Sequence, residues 1–270
     1  MKKIVLLLAV AVLMAIGCAG TKHTQQKNET LSSNNILEIF NAGDKIYNID
    51  EVINLVKNIP QTKDEYETSD QFAQRVTQEM NNIPQYMLVS IFPNIKYVEY
   101  NADRKELKIL RGSIGYTNSF DLFNRYSIIA SSKDLSFDSY VATNAYGAKI
   151  TVARITKLTK KISKLYGIKS APLYYLGKEK DLFAGNATTP LFNIENIEPQ
   201  QARKAKENLR ITAIIKLQPP YYRISKAMNL PPTFNRPMDI DETEEEVFAD
   251  IFGVVFHDSN KETYVSLIAK

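Results

Sequence analysis

From residue 86 onward the apolar residues of this chain fall in short runs separated by polar turns, a period that specifies strands. Residues 86–92 form one such run. Residues 95–100 and 107–110 flank the polar segment 101–106 and read as a hairpin. Further strands are expected over 125–131, 137–142 and 148–155, with Asn144-Ala-Tyr-Gly147 as the turn between the last two. A strand over 211–217 is closed by Pro219 and Pro220, and 247–256 with 263–268 gives a final hairpin across the polar turn 257–262.

Helical spacing stands ahead of these strands and once between them. Ile49, Val52, Ile53, Val56 and Ile59 share one face, Asn48 and Glu51 make a capping-box pair, and Pro60 discourages continuation. A second helix is expected to start at Thr68, with Gln71 as its capping partner, Asp70 in its first turn, and Phe72, Val76 and Met80 on its buried face. The acidic connector 61–67 joins the two. A third helix begins at Pro199, in the favoured first-turn position, and turns Ala202, Ala205 and Leu209 inward. Strands in series with helices set apart give the α+β class: short N-terminal helices followed by a mainly antiparallel β domain. Segments 98–106 and 254–262 share a plan, which fits either two similar halves or two polar hairpins alike by chance.

Composition narrows the chemistry. A hydrophobic fraction of 44% against 24% charged residues is too apolar for a disordered chain. One Cys makes neither an intramolecular disulfide framework nor a thiolate metal site, and two His make no three-imidazole centre, so no metal or cofactor is expected. The net charge of +4 is too small a bias to imply nucleic acid as a partner.

The start of the chain carries an address. Lys2 and Lys3, the apolar run 4–16, Gly17 and then the single Cys18 form a basic n-region, an h-region and a small residue before a cut. A spanning helix needs about 20 apolar residues, which this run lacks. Ala15-Ile16-Gly17-Cys18 resembles the bacterial lipobox, with Ala15 where Leu is commonest. Residues 1–17 are therefore expected to be a lipoprotein signal peptide and Cys18 the lipid attachment site, the alternative being an ordinary secretory signal with an incidental cysteine. Residues 18–35 are polar and aperiodic and read as a flexible tether to a globular domain over 36–270. Ala19 differs from the Asp that resembles an inner-membrane retention signal, which favours the outer membrane.

Catalytic patterns are sparse. His257 beside Asp258 reads either as a general base or as a solvated turn histidine. There is no Gly-x-Ser-x-Gly elbow, P-loop, dinucleotide fingerprint or zincin spacing. Two carboxylates alone hydrolyse a glycosidic bond, and with 30 Asp and Glu such a pair stays open. The doublets Tyr174-Tyr175 and Tyr221-Tyr222 would then stack sugars, or else each place one residue in the core and one on the surface. Arg154, Lys157, Lys160, Lys161, Lys164 and Lys169 stand without an acid among them, while Asp239, Asp241, Glu242, Glu244, Glu245, Glu246 and Asp250 stand without a base. The basic stretch fits an amphipathic helix on anionic lipid, or a strand with a solvated Lys face turned toward the acidic run. Alternation of Ile150 and Val152 with polar neighbours favours the strand, paired with 137–142.

Lys63-Asp-Glu-Tyr-Glu-Thr-Ser-Asp-Gln-Phe-Ala-Gln-Arg75 resembles a signature of uncharacterised bacterial envelope lipoproteins, with Tyr66 where Phe is usual. The segment 140–149, the segment 199–210 and the closing Val254-Val-Phe-His-Asp258 fit the same family in order. The resemblance implies no activity. It marks Glu65, Tyr66, Glu67, Thr68, Arg75, Asn144 and Gly147 as motif residues, with Glu67 and Thr68 capping a helix and Arg75 reaching back to the acidic connector. The expectation is a periplasm-facing lipoprotein, anchored in the membrane through Cys18, that binds or scaffolds an envelope protein partner without catalysis. A carboxylate-based hydrolase acting on envelope glycan is the alternative.

Overall fold

A computed structural model describes residues 33–43, 45–119, 125–165, 186–227 and 231–268. The leader, Cys18 and most of the tether lie outside the described residues, as do Lys169 and Tyr174-Tyr175. The described part is α+β, with mainly antiparallel mixed sheets.

The helices are α1 (Ser33–Ala42), α2 (Ile49–Val56), α3 (Ser69–Met80) and α4 (Pro199–Asn208). α1 begins inside the segment expected to be tether, because Ile36 and Phe40, one helical turn apart, have a buried apolar surface to cover. The Asn48 side chain accepts from the Glu51 backbone N–H at 2.9 Å, and the Glu51 carboxylate accepts from Asn48 N–H at 2.8 Å, which fixes the start of α2. α2 buries Ile49, Val52, Ile53 and Val56. α3 has no fully buried residue, but Phe72, Val76 and Met80 form its least exposed face as expected, half-buried, with Val76 and Met80 packed against the main core. Ala202 of α4 and Leu209 just beyond it are buried, and Ala205 packs against the core.

The strands are β1 (Ile46–Tyr47), β2 (Met87–Ile91), β3 (Val98–Asn101), β4 (Glu106–Leu110), β5 (Tyr116–Ser119), β6 (Arg125–Thr143), β7 (Lys149–Leu165), β8 (Pro190–Ile194), β9 (Arg210–Lys226), β10 (Met238–His257) and β11 (Thr263–Ile268). The large sheet runs β1-β2-β9-β10-β7-β6-β5, with β11 added beside the C-terminal half of β10, and the small sheet runs β3-β4-β8. Among the described residues only β1–β2 and β7–β10 pair in parallel.

Two strands outran their sequence signals. The runs at 125–131 and 137–142 belong to one strand, β6, because bulges between Ile129 and Ser131 and between Asp134 and Ser136 absorb the polar interruption without breaking the pairing with β7. The strand expected to close at Pro219-Pro220 continues to Lys226, because the prolines fall where the register with β10 jumps from Leu217 to Tyr222. No ladder N–H is demanded of them there.

Residues paired across a sheet share a face. On one face, Ile128, Ile162, Val247, Ile251 and Val254 join α2, α4 and the small sheet in the main core. On the other, Leu88, Ile214 and Val255 are covered by Ile36 and Phe40 of α1. Gly253 allows this approach: a Cβ there would stand 2.3 Å from the Leu267 carbonyl oxygen and 2.5 Å from Ile36 Cδ1. Since Phe40 stacks near His257, ring centroids 4.9 Å apart, α1 runs alongside β10 in the same direction, and its N-terminus points toward Met238.

His257 is not a solvated turn residue. It closes β10, buried, with Nδ1 donating to the Asp258 carbonyl at 2.7 Å, which leaves Nε2 to accept from the Thr212 hydroxyl at 2.9 Å. Burial holds its pKa below the ordinary 6.5. With both ring nitrogens engaged and the ring covered by Phe40, it is a structural, neutral histidine and offers no exposed base.

Candidate functional site

The basic and acidic runs of the sequence are neighbours. β7 lies parallel to β10 in a register that sets Arg154 beside Asp239, Lys157 beside Glu242, Lys160 beside Glu245 and Lys161 beside Glu246. The basic stretch is therefore a strand through Leu165, and no membrane-surface helix forms over 152–165. Lys157, Lys160 and Lys161 are paired rather than freely solvated, since like charges alone on either strand would repel and the parallel register places opposite charges together.

On the face that carries α1, Lys161 meets Glu244 and Thr159 donates to Glu242, with Lys157 Nζ 3.8 Å from the same Glu242 oxygen. Glu246 ends this row in full burial. Arg223 Nε and Nη2 both donate to its Oε2, at 3.0 and 2.6 Å, and Ser163 Oγ donates to Oε1 at 3.0 Å. Ser163 has spent its one proton, so Ser127 Oγ, 2.7 Å away, donates to Ser163. Burial pushes the Glu246 carboxyl above its ordinary value, against the pull of Arg223 and Ser163. On the opposite face Glu245 accepts from Tyr222 at 2.8 Å and lies 3.4 Å from Lys160, which also meets Asp50 of α2. Burial works to lower the Lys160 pKa, but Asp50 and Glu245 outweigh it and hold the ammonium form. Tyr222 is thus tied into the sheet, and Tyr221 is half-buried beside it. Neither is an open platform for a sugar ring.

Beyond the Glu242–Lys157 row the sheet projects past its core and its two faces diverge. One face carries the row Asp138–Arg154–Asp239, in which Arg154 lies over the Tyr140 ring at 4.6 Å, and the row Ser136–Thr156–Asp241. The face shared with α1 carries Phe137–Ile155–Ile240, then Ser139–Ala153–Met238, then Val141–Thr151 and Thr143–Lys149. Phe137 is 74% exposed and Val141 63%.

The motif residues occupy two separate places. Thr68 Oγ1 accepts from Gln71 N–H at 3.2 Å and Gln71 Oε1 from Thr68 N–H at 2.8 Å, which starts α3. Glu67 does not cap the helix. Its carboxylate takes both Arg75 Nε at 3.0 Å and Nη2 at 2.7 Å, which lowers the Glu67 pKa, and also accepts from Asp64 N–H. Glu65 is exposed and Tyr66 is 89% exposed. Asn144 and Gly147 form the β6–β7 turn: Asn144 Oδ1 accepts from Tyr146 and Ala148 N–H, and Gly147 takes φ 81°, which only glycine adopts cheaply. Among the described residues no hydrogen bond or ion pair links the two groups. Replacing Thr68 with Ala should cost on the order of 1 kcal/mol through the lost cap, read as a lower denaturant midpoint with an unchanged circular dichroism spectrum. A neutral result would place the start of α3 under other control.

Family models, curated proteins and solved structures return no match to this chain. Among the described residues no group of three or more His, Cys, Asp or Glu is set to hold a metal ion, and no helix is long and apolar enough to cross a membrane. The Glu246 array went unseen in the sequence, where its only trace is an acidic run that continues without a turn into Val247 and Phe248.

Proposed function

We propose that this chain is an envelope lipoprotein, exported by residues 1–17, acylated at Cys18 and held at the outer membrane, whose α+β domain faces the periplasm and binds or scaffolds other envelope components without catalysis. The observation that carries this reading is the placement of the only cysteine directly after Gly17, at the end of a basic and apolar leader. The amine and thiol of a new N-terminal cysteine accept two or three acyl chains, enough for stable anchoring where one is marginal.

The domain supports a binding role by where its polar groups are spent. Asp239, Asp241, Glu242, Glu244, Glu245 and Glu246 each meet a base, and Asp250 accepts from Gln218 at 2.8 Å. We therefore rank the carboxylate-based glycan hydrolase second, as no observation favours it. On the finer arrangement, we read α1, α2 and α3 as short helices leading into the β part. We read the echo of 98–106 in 254–262 as one local turn used twice: Lys105 and Lys261 both take positive φ, at 49° and 64°, each after a backbone bond to the residue three before it. The two hairpins belong to different sheets.

A Cys18→Ser variant should lose labelling by a fatty-acid probe and remain unprocessed or be released from membranes. Labelling that persists in the variant would refute the assignment of Cys18.

A further inference from the structure

We propose that the projecting end of the large sheet lies against the lipid bilayer with its apolar face, a second membrane contact beside the anchor, so that the domain is held in one orientation rather than swinging on its tether. This rests on the lipoprotein reading above.

Charge is segregated across the projection. The face away from α1 carries Asp138, Arg154, Asp239 and Asp241 in its rows, with Tyr140–Val152 and Ala142–Ile150 beyond them. The face shared with α1 carries Phe137, Ile155 and Ile240 straight across three strands, with Met238 and Val141 beyond them, and among the described residues of these rows beyond Glu242 it holds no acid and a single base, Lys149. Beyond Glu242 the charged side chains of these rows, Lys149 excepted, thus stand on one face, and the exposed Phe137 and Val141 stand on the other. An apolar, acid-free face that ends on a lysine suits the headgroup region of a bilayer containing anionic lipid. The hairpin tip adds Tyr146, 96% exposed on a turn fixed by Asn144 and Gly147, and tyrosine is a residue of membrane interfaces.

Chain length points to the same occupant. α1 lies on this same face with its N-terminus toward Met238. Residues 18–33 reach at most roughly 50 Å when extended. β10 from Gly253, where Ile36 of α1 packs, back to Ile240 spans roughly 45 Å. A tether of that length allows an acylated Cys18 and the apolar sheet end to reach one bilayer surface, and the bilayer is present at high local concentration wherever the anchor is seated.

The chain has no Trp, so a single introduced indole reports alone. Full-length Phe137→Trp, Val141→Trp and Asp138→Trp variants are matured in cells and reconstituted into vesicles of phosphatidylethanolamine and phosphatidylglycerol, with and without brominated acyl chains. One step along a strand flips the face, so Asp138→Trp reports the opposite side of the same strand. The proposal expects blue-shifted emission and bromolipid quenching at 137 and 141 severalfold greater than at 138. Equal quenching at all three positions, or none, overturns it. A blue shift at 137 without bromolipid quenching, accompanied by a dimer in sedimentation, gives the face to a second copy of the chain and also overturns it. Vesicle flotation separates the two claims: a chain that floats yet shows no quenching keeps its anchor and loses the docked face, and a chain that does not float loses both.

Discussion

Replacing Arg223 with Ala is expected to destabilise the protein by about 3–5 kcal/mol at neutral pH, because it strips two donors from a carboxylate that is closed to water. Ser163 would still donate to Glu246, and the charge of Lys161 acts on it. The pH dependence has a definite sign. Burial raises the Glu246 pKa above 4.5, so the folded state holds this proton more tightly than the unfolded one. That contribution to stability is complete below pH 4.5 and is lost as the pH rises through the folded value. Removing Arg223 raises the folded value further, so the deficit of the variant should shrink as the pH falls. Adding Glu246→Gln to Arg223→Ala should recover part of the loss. A deficit under about 1 kcal/mol, unchanged with pH, would mean that the pair acts as an exposed surface ion pair. Denaturant unfolding of both variants from pH 4 to 8 decides this.

Phe40→Ala should cost a similar amount, about 3–5 kcal/mol, by leaving a cavity between α1 and the sheet. Phe40 is fully buried against Leu88, Ile214, Val255 and the His257 ring. Its loss also admits water to His257. Burial keeps that imidazole neutral, so the wild-type protein loses stability as the pH falls below 6.5 toward the lowered folded value. In the variant the histidine should titrate nearer 6.5, and the acid loss should be smaller. Ring-proton shifts followed by NMR give the titration and thermal unfolding gives the cost. A His257 titration identical in the two proteins would show that Phe40 does not seal it.

Local rules carried the helix starts. Asn48 with Glu51, Thr68 with Gln71 and Pro199 are short-range signals, complete within one turn, and the structure uses all three. The β6–β7 turn at Asn144 and Gly147 was legible for the same reason. What was not legible depends on partners far along the chain. β6 reads as two strands in isolation, and only the register with β7 shows that bulges carry it through 130–135. His257 looks like a turn residue until α1, more than two hundred positions away in sequence, covers it with Phe40. The attraction between basic and acidic runs could be anticipated from charge, but the burial of Glu246 at the end of the row depends on Arg223 from a third strand and Ser127 from a fourth. The projecting apolar face needs the same long-range registers, since Phe137, Ile155 and Ile240 lie in three strands whose adjacency no single period announces.

Anchoring through Cys18 is tested most directly on the N-terminal peptide. Mass spectrometry of the N-terminal peptide of the protein purified from envelopes should find a chain that begins at Cys18, with a diacylglyceryl thioether on its sulfur and an acyl group on its amine. A peptide that still begins at Met1, or one in which the Cys18 thiol is free, would contradict the anchored-lipoprotein reading.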